Sequence, residues 1–387
     1  MIAGLRPCFM VAALALACAS PSARMSPPAA GAAPAPEGQG PLLYVANQNG
    51  ASVSIIDIGE RAETVRIDLQ SLGFGPNSRP HDTAVDPDGS HWYVTLIGEN
   101  RVLRFDRSNR LVGQVEMEVP GLVVAHPTRD LLLVGRSMTA VDPPSSIAII
   151  RPSDMTLLDE IDVLFPRPHA LAAGRGGRWA YTASLAVNQI AAIDLESRDV
   201  ELVDVPAAAG VPPDEPVTVE PNHAAHAAHT LVEFALSADG RTMVAAGEAS
   251  GDLLVFDLSD SGMPRAVGRV SLGGAPWHPA FTPDGRYVWV PLHRADAVAV
   301  VDASSWEVVE RMTGRGLAQP HAVQPSPDGL WIFVSNNNTE GTYTPQGNDP
   351  EAGTLVVIDA ETRRIVDVLE VGPNTAGIET LPAHAPR

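Results

Sequence analysis

From Pro41 onward, short apolar runs alternate with polar turns at a regular interval. One run closes on an Asp and recurs as SVSIID (ending at Asp57), VLRFD (Asp106), IAAID (Asp194), LLVFD (Asp257), VAVVD (Asp302) and LVVID (Asp359). IAIIR, ending at Arg151, stands in the same place in a further unit. Each is preceded by a second apolar run: LLYVAN, HWYVTL, LLLVGR, RWAYTA, TMVAAG, YVWVPL and WIFVSN. Runs this short, rich in β-branched and aromatic residues and bounded by turns, predict strands and leave little room for long helices. Many of the second runs follow a turn such as DPDG, SADG, TPDG or SPDG. Gly after Asp supplies the residue that tolerates positive φ, so the Asp residues of these turns are read as structural.

The runs belong to a larger repeat. Pro80 to Asp106, Pro276 to Asp302 and Pro320 to Asp359 carry the same three segments in the same order, opening PHDTAVDPDG, PWHPAFTPDG and PHAVQPSPDG. Repetition at this period predicts one closed array rather than the two or three domains that 387 residues would otherwise suggest. The first unit lacks its own leading strand, and PNTAGIETL near the C-terminus aligns with the leading segment of the others. The expected fold is therefore all-β: a seven-bladed β-propeller of four strands per blade, spanning residues 41–387. The C-terminal strand would complete the first blade and leave no exposed edge.

Residues 1–17 carry Arg6 and then the apolar run FMVAALALA, too short to span a bilayer, and read as a signal peptide. The residues before Cys18 resemble the lipobox of bacterial lipoproteins, which implies lipidation at Cys18. Residues 18–40, rich in Pro, Ala and Gly, would then tether the propeller to a membrane. The expected location is the periplasmic side of the outer membrane or the cell surface. The only other cysteine is Cys8, so the propeller has no thiol for a disulfide or a thiolate metal site. A net charge of −20, with no run of Lys or Arg, argues against nucleic acid as a partner.

The segments PHAVQPSPDG, WIFVSNN and LLYVANQNGASVSIIDI look like the YVTN repeats of seven-bladed propellers in surface-layer and periplasmic proteins. Similar propellers occur in the lactonase-type family, in the haem-binding domain of dissimilatory nitrite reductase, and in nitrous oxide reductase, whose copper cluster is held by histidines. Fold is the safer inference, because one propeller architecture hosts unrelated sites.

Candidate chemistry is concentrated in histidine. The segments leading into the inner strands hold His81, His169, His321 and a displaced His278 after Trp277. A longer one, HAAHAAH, holds His223, His226 and His229, and a loop between second and third strands adds His293. These eight of eleven histidines would emerge on one face of the ring, where imidazoles suit zinc, copper or nickel. The resemblance to nitrous oxide reductase places copper first and zinc close behind. Arg79 and Arg167, each before a Pro-His pair, and Trp277 are candidate ligand contacts, with an anion as the expected partner of the arginines. The leading expectation is a metal or metal-cofactor binding protein, accessory to redox chemistry. One alternative is a lactonase-like hydrolase; the other is a scaffold for an envelope protein, using the long loop from Asn336 to Gly353. No GxSxG elbow and no CxxCH are present, and Gly121 and Asn374 stand where other repeats have His.

Overall fold

A computed structural model describes Met1 and residues 40–139, 142–206 and 228–381. Cys18, His223, His226 and His384 lie outside the described residues.

The described chain forms seven four-stranded antiparallel sheets in a ring. The strand Thr375–Leu381 pairs with Leu42–Asn47 and so forms the innermost strand of blade 1, which closes the ring as expected. The other inner strands are Pro80–Val85, Pro120–Ala125, Pro168–Ala173, Leu231–Leu236, the two-residue Ala280–Phe281, and Pro320–Pro325, in blades 2 to 7.

Each of the seven blade-to-blade interfaces holds its own apolar cluster, so the core is a ring of seven packed seams rather than one centre. The seam between blades 1 and 2 contains stacked rings, with Tyr44 to Trp92 at 4.5 Å and Trp92 to Phe105 at 4.2 Å. The strand-ending aspartates accept N–H bonds from the turns that follow. Asp106 accepts from Ser108, Asp194 from Glu196, and Asp302 from Ser304. In blade 3, where Arg151 replaces the Asp, the carboxylate is supplied three residues later by Asp154. Gly89, Gly240, Gly285 and Gly329 of the Asp-Gly turns have φ between 66° and 73°, as that turn chemistry requires.

Two recurrent features decide where side chains point at the upper mouth of the channel. Arg79, Val119, Arg167, Thr230, Ala275, Gln319 and Asn374 each precede an inner strand or its approach, and all have φ between 40° and 58°. Their carbonyls accept the N–H of the residue that follows the second strand of the same blade, at 2.9–3.1 Å. Directly after six of them, all but Ala275 of blade 6, the inner strand carries an irregularity in its pairing with the second strand, at or near His81, Gly121, His169, Val232, His321 and Ala376. Bulges re-aim side chains, and here they turn three imidazoles toward the axis. The residue of blade 1 in register with His81 is thus Ala376. Asn374, expected there from sequence, instead takes the left-handed position shared by Arg79 and Arg167.

Candidate functional site in the upper mouth of the channel

Blade 6 departs from the pattern in a way that builds the site. Its approach is longer, with Pro276 opposite Leu292 and pairing resuming only at Ala280, so Trp277, His278 and Pro279 bow out of the sheet. The displaced segment pairs instead with blade 7: His278 N–H donates to the His321 carbonyl and Val323 N–H to the His278 carbonyl, both at 3.2 Å. That brings the rings of His278 and His321 to 4.5 Å. His81 lies 6.0 Å from His321 and 6.1 Å from His169, and His169 lies 6.5 Å from His278. The four rings form one buried quadrilateral, each residue no more than 7% exposed.

Each ring also buries one nitrogen that has no hydrogen-bond partner: Nε2 of His81, His169 and His278, and Nδ1 of His321. A buried polar atom left unpaired costs on the order of 1–3 kcal/mol. Burial also lowers the proton affinity of all four, His81 to about 3 and His169 to about 4. His278 and His321 fall well below the usual imidazole range, first through burial and then through their neighbouring imidazoles. The rings are uncharged at neutral pH and carry free lone pairs or N–H groups.

His293 occupies the rim. It stacks on Trp277 at 3.9 Å with the planes 2° apart, and its Nδ1 lies 3.3 Å from the Pro320 carbonyl. Trp277 stands edge-on to His321 at 4.9 Å and roofs that side of the quadrilateral. His229 is buried and hydrogen-bonds the Pro206 carbonyl through Nε2 at 2.9 Å. Arg167 donates from Nη2 to the Met138 carbonyl at 2.6 Å, and Arg79 lies at the mouth, where its charge opposes protonation of His81. The loop from Asn336 to Gly353 is tied to its own blade. Asn338 donates to the carbonyls of Tyr343 and Ala352, while Glu370 accepts from the N–H groups of Gln346 and Gly347. Of the histidines outside the candidate set, His91 and His126 are described, and both lie away from these four rings. His91 begins the second strand of blade 2, and His126 bonds the Gly177 carbonyl at 2.7 Å.

Below the imidazoles lies a layer that sequence reading missed. Asp82, Glu233 and Glu379 lie on inner strands of different blades, with Asp82 near enough to both glutamates for mutual repulsion. Asp82 approaches so closely that a Cβ on Gly377 would stand 2.3 Å from its Oδ1. Burial raises all three carboxyls, Asp82 and Glu379 to about 7 and Glu233 well above the usual carboxylate range, with mutual repulsion adding to Asp82 and Glu233. Glu233 Oε2 lies 3.6 Å from His278 Nδ1. Both groups are shifted toward their neutral forms, so this contact is not an ion pair.

A stability prediction follows from Asp82. Its folded value of about 7 exceeds the value near 3.9 of an unfolded Asp, so the unfolded chain releases the proton first. The wild type therefore loses stability as pH rises from about 4 through 7. Asp82→Asn, which can still accept the Val123 N–H, should match wild type below pH 4 and melt several degrees higher at pH 8. A constant difference across that range would contradict the assignment.

At the opposite mouth is a separate cavity of about 720 Å³, lined by Pro87, Pro127, Pro283, Pro327, Phe234 and Arg175 among others; none of the candidate histidines lines it.

No family model and no curated protein matches the chain. Solved structures do. A periplasmic gluconolactonase from Pseudomonas aeruginosa superposes with a TM-score of 0.64 at 18% identity, over 89% of this chain and 99% of that one. The likeness is one of fold. A functionally unknown protein from Desulfotomaculum acetoxidans gives 0.68 at 13% identity, over 88% and 99%. Hydrazine synthase from Kuenenia stuttgartiensis gives 0.60 at 16%, over 77% and 88%.

A resident metal can be tested against the residues present. Two imidazoles on one ion place their ring centres roughly 4.5–5 Å apart, given metal–nitrogen bonds near 2.0 Å. His278 and His321 meet that spacing, while the other neighbouring pairs stand roughly 1 Å wider. Among the described residues no three His, Cys, Asp or Glu side chains already surround a single point. The donor chemistry fits: neutral rings, unpaired nitrogens, and His169 oriented through Nδ1 to the Val232 carbonyl at 2.7 Å, as second-shell contacts orient metal ligands.

Proposed function

We propose that this propeller is an envelope protein that binds a transition-metal ion or metal-bearing cofactor in its upper mouth, through His278 and His321 with His169 completing the set. The observation that supports this most is the clustering of four buried imidazoles, each with one nitrogen that has no partner within the protein. A fold does not accumulate that cost in one place for stability. The three carboxyls beneath would offset a cation's charge by giving up protons, since an incoming cation lowers their proton affinity. Copper is the first expectation and zinc the second, because neutral imidazole suits both. When bound, such an ion would supply Lewis-acid or redox chemistry. The chain's own part is to orient the rings, exclude bulk water and hold counter-charge.

We read the repeats as YVTN-type and the chain as exported and tethered through Cys18; fractionation of cells carrying Cys18→Ala tests the anchor. A second reading, lactone hydrolysis, draws on the gluconolactonase of the same fold and on the presence of imidazoles able to move a proton. Sugar-lactone turnover lost in His169→Ala would favour it. The binding reading is tested by metal titration of residues 40–387 free of any His tag, with loss of binding in variants of His278 and His321.

A further inference from the structure

We infer that His81 faces the funnel as a hydrogen-bond donor rather than as a further metal ligand, its proton held on Nε2 by a relay of three side-chain amides. This deepens the binding reading and rests on it only for the identity of the ligand.

The relay begins at a group that can only accept, the Thr375 carbonyl. Asn337 Nδ2 donates to that carbonyl at 2.8 Å and to Asn374 Oδ1 at 2.8 Å. Asn374 must therefore turn its Nδ2 the other way, where it donates to Gln48 Oε1 at 3.1 Å and to Asn49 Oδ1 at 3.2 Å. Gln48 is left presenting Nε2 to His81 Nδ1 at 2.6 Å. A ring nitrogen that receives an N–H carries no proton, so the proton of neutral His81 is on Nε2. Turning any amide of the relay around would set two donors or two acceptors face to face.

His169 is fixed in the opposite sense. Its Nδ1 lies 2.7 Å from the Val232 carbonyl and must donate, which leaves Nε2 as a lone pair. Both Nε2 atoms are buried and unpartnered, and the rings meet edge-on at 6.1 Å. The funnel thus offers one N–H opposite one lone pair. That asymmetry suits a cation on the His169, His278 and His321 side together with an oxygen acceptor, such as a carboxylate, under His81. Gln48 is the positioning residue, 7% exposed and remote in sequence from the amide that orients it.

The test is a long-range proton–nitrogen correlation spectrum of metal-free protein labelled with ¹⁵N-histidine, with His81 assigned by loss of its signals in His81→Ala. His81 should show an unprotonated Nδ1 and a protonated Nε2, and His169 the reverse. A protonated Nδ1 on His81 overturns the inference. In Gln48→Glu the carboxylate can only accept, so the His81 tautomer should reverse. His81 would then offer a lone pair, and Zn²⁺ should bind about tenfold more tightly. If that variant does not fold, the wild-type spectrum decides alone. Acetate added with Zn²⁺ present should shift the His81 Nε2 proton; no response at His81 removes the oxygen-ligand assignment. Failure of Zn²⁺ to bind at all removes the metal reading while leaving the tautomer, measured without metal, to stand or fall separately.

Discussion

Replacing His278 and His321 together by Ala is expected to weaken binding of Cu²⁺ or Zn²⁺ at least a hundredfold while leaving the metal-free protein folded. The first expectation comes from spacing: these are the two rings whose 4.5 Å separation already suits a shared ion. Loss of an outer contact to a metal site typically costs 10–100-fold, and here two inner ones are removed. The second comes from what the rings lack. His278 Nε2 and His321 Nδ1 have no partner, so truncation removes unsatisfied polar atoms and offsets part of the packing lost. A purely structural role predicts the reverse pattern, a lower melting temperature with metal affinity unchanged. Calorimetric titration and thermal melts on the same samples separate the two.

Arg136→Ala should be strongly destabilising to blade 3, by roughly 2–5 kcal/mol, through acceptors left unpaired and the cavity left behind. Arg136 is 1% exposed, and its guanidinium joins three parts of the blade. Nε donates to the Ser146 carbonyl at 2.9 Å, Nη2 to Ser146 Oγ at 2.8 Å and to the Glu160 carboxylate, and Nη1 to the Glu118 carbonyl. Removing it takes away the donor to the Ser146 and Glu118 carbonyls and opens a cavity where strands two, three and four of the blade meet. Arg136→Lys should recover only part of the loss, because an ammonium cannot serve this fork of acceptors. An unfolding free energy lowered by less than about 1 kcal/mol in Arg136→Ala, from denaturant titration, would show that the network contributes little.

Much of the architecture was legible because it repeats. Apolar runs, Asp-closed strands and Asp-Gly turns recur in phase, and their local chemistry is the same wherever they occur. Closure by the C-terminal strand was legible because the first unit visibly lacks a leading segment. The Pro-His pairs of blades 2, 4 and 7 marked three of the four central imidazoles, since each sits at the same bulge. The fourth, His278, was legible in the sequence as a displaced candidate, but its route into the group depended on long-range geometry. His278 joins the group because three residues bow out of blade 6 and pair with blade 7, which no pattern within blade 6 announces. The acidic layer was missed because Asp82, Glu233 and Glu379 are single charged residues within apolar strands, and only the ring places them side by side. The amide relay was out of reach for the same reason: Gln48 and Asn374 are 326 positions apart and meet only when the ring closes. The His-rich HAAHAAH segment contributes His229 to a local contact with Pro206, while its other two histidines lie outside the described residues.

The most direct test of the central claim is a titration of untagged residues 40–387 with Cu²⁺ and then Zn²⁺, read by calorimetry and by metal analysis after desalting. Saturable, stoichiometric binding that survives desalting, with X-ray absorption showing imidazole nitrogen in the first coordination shell, is the predicted result. Protein that retains neither metal, and whose histidine signals do not move on addition of either, would contradict the account.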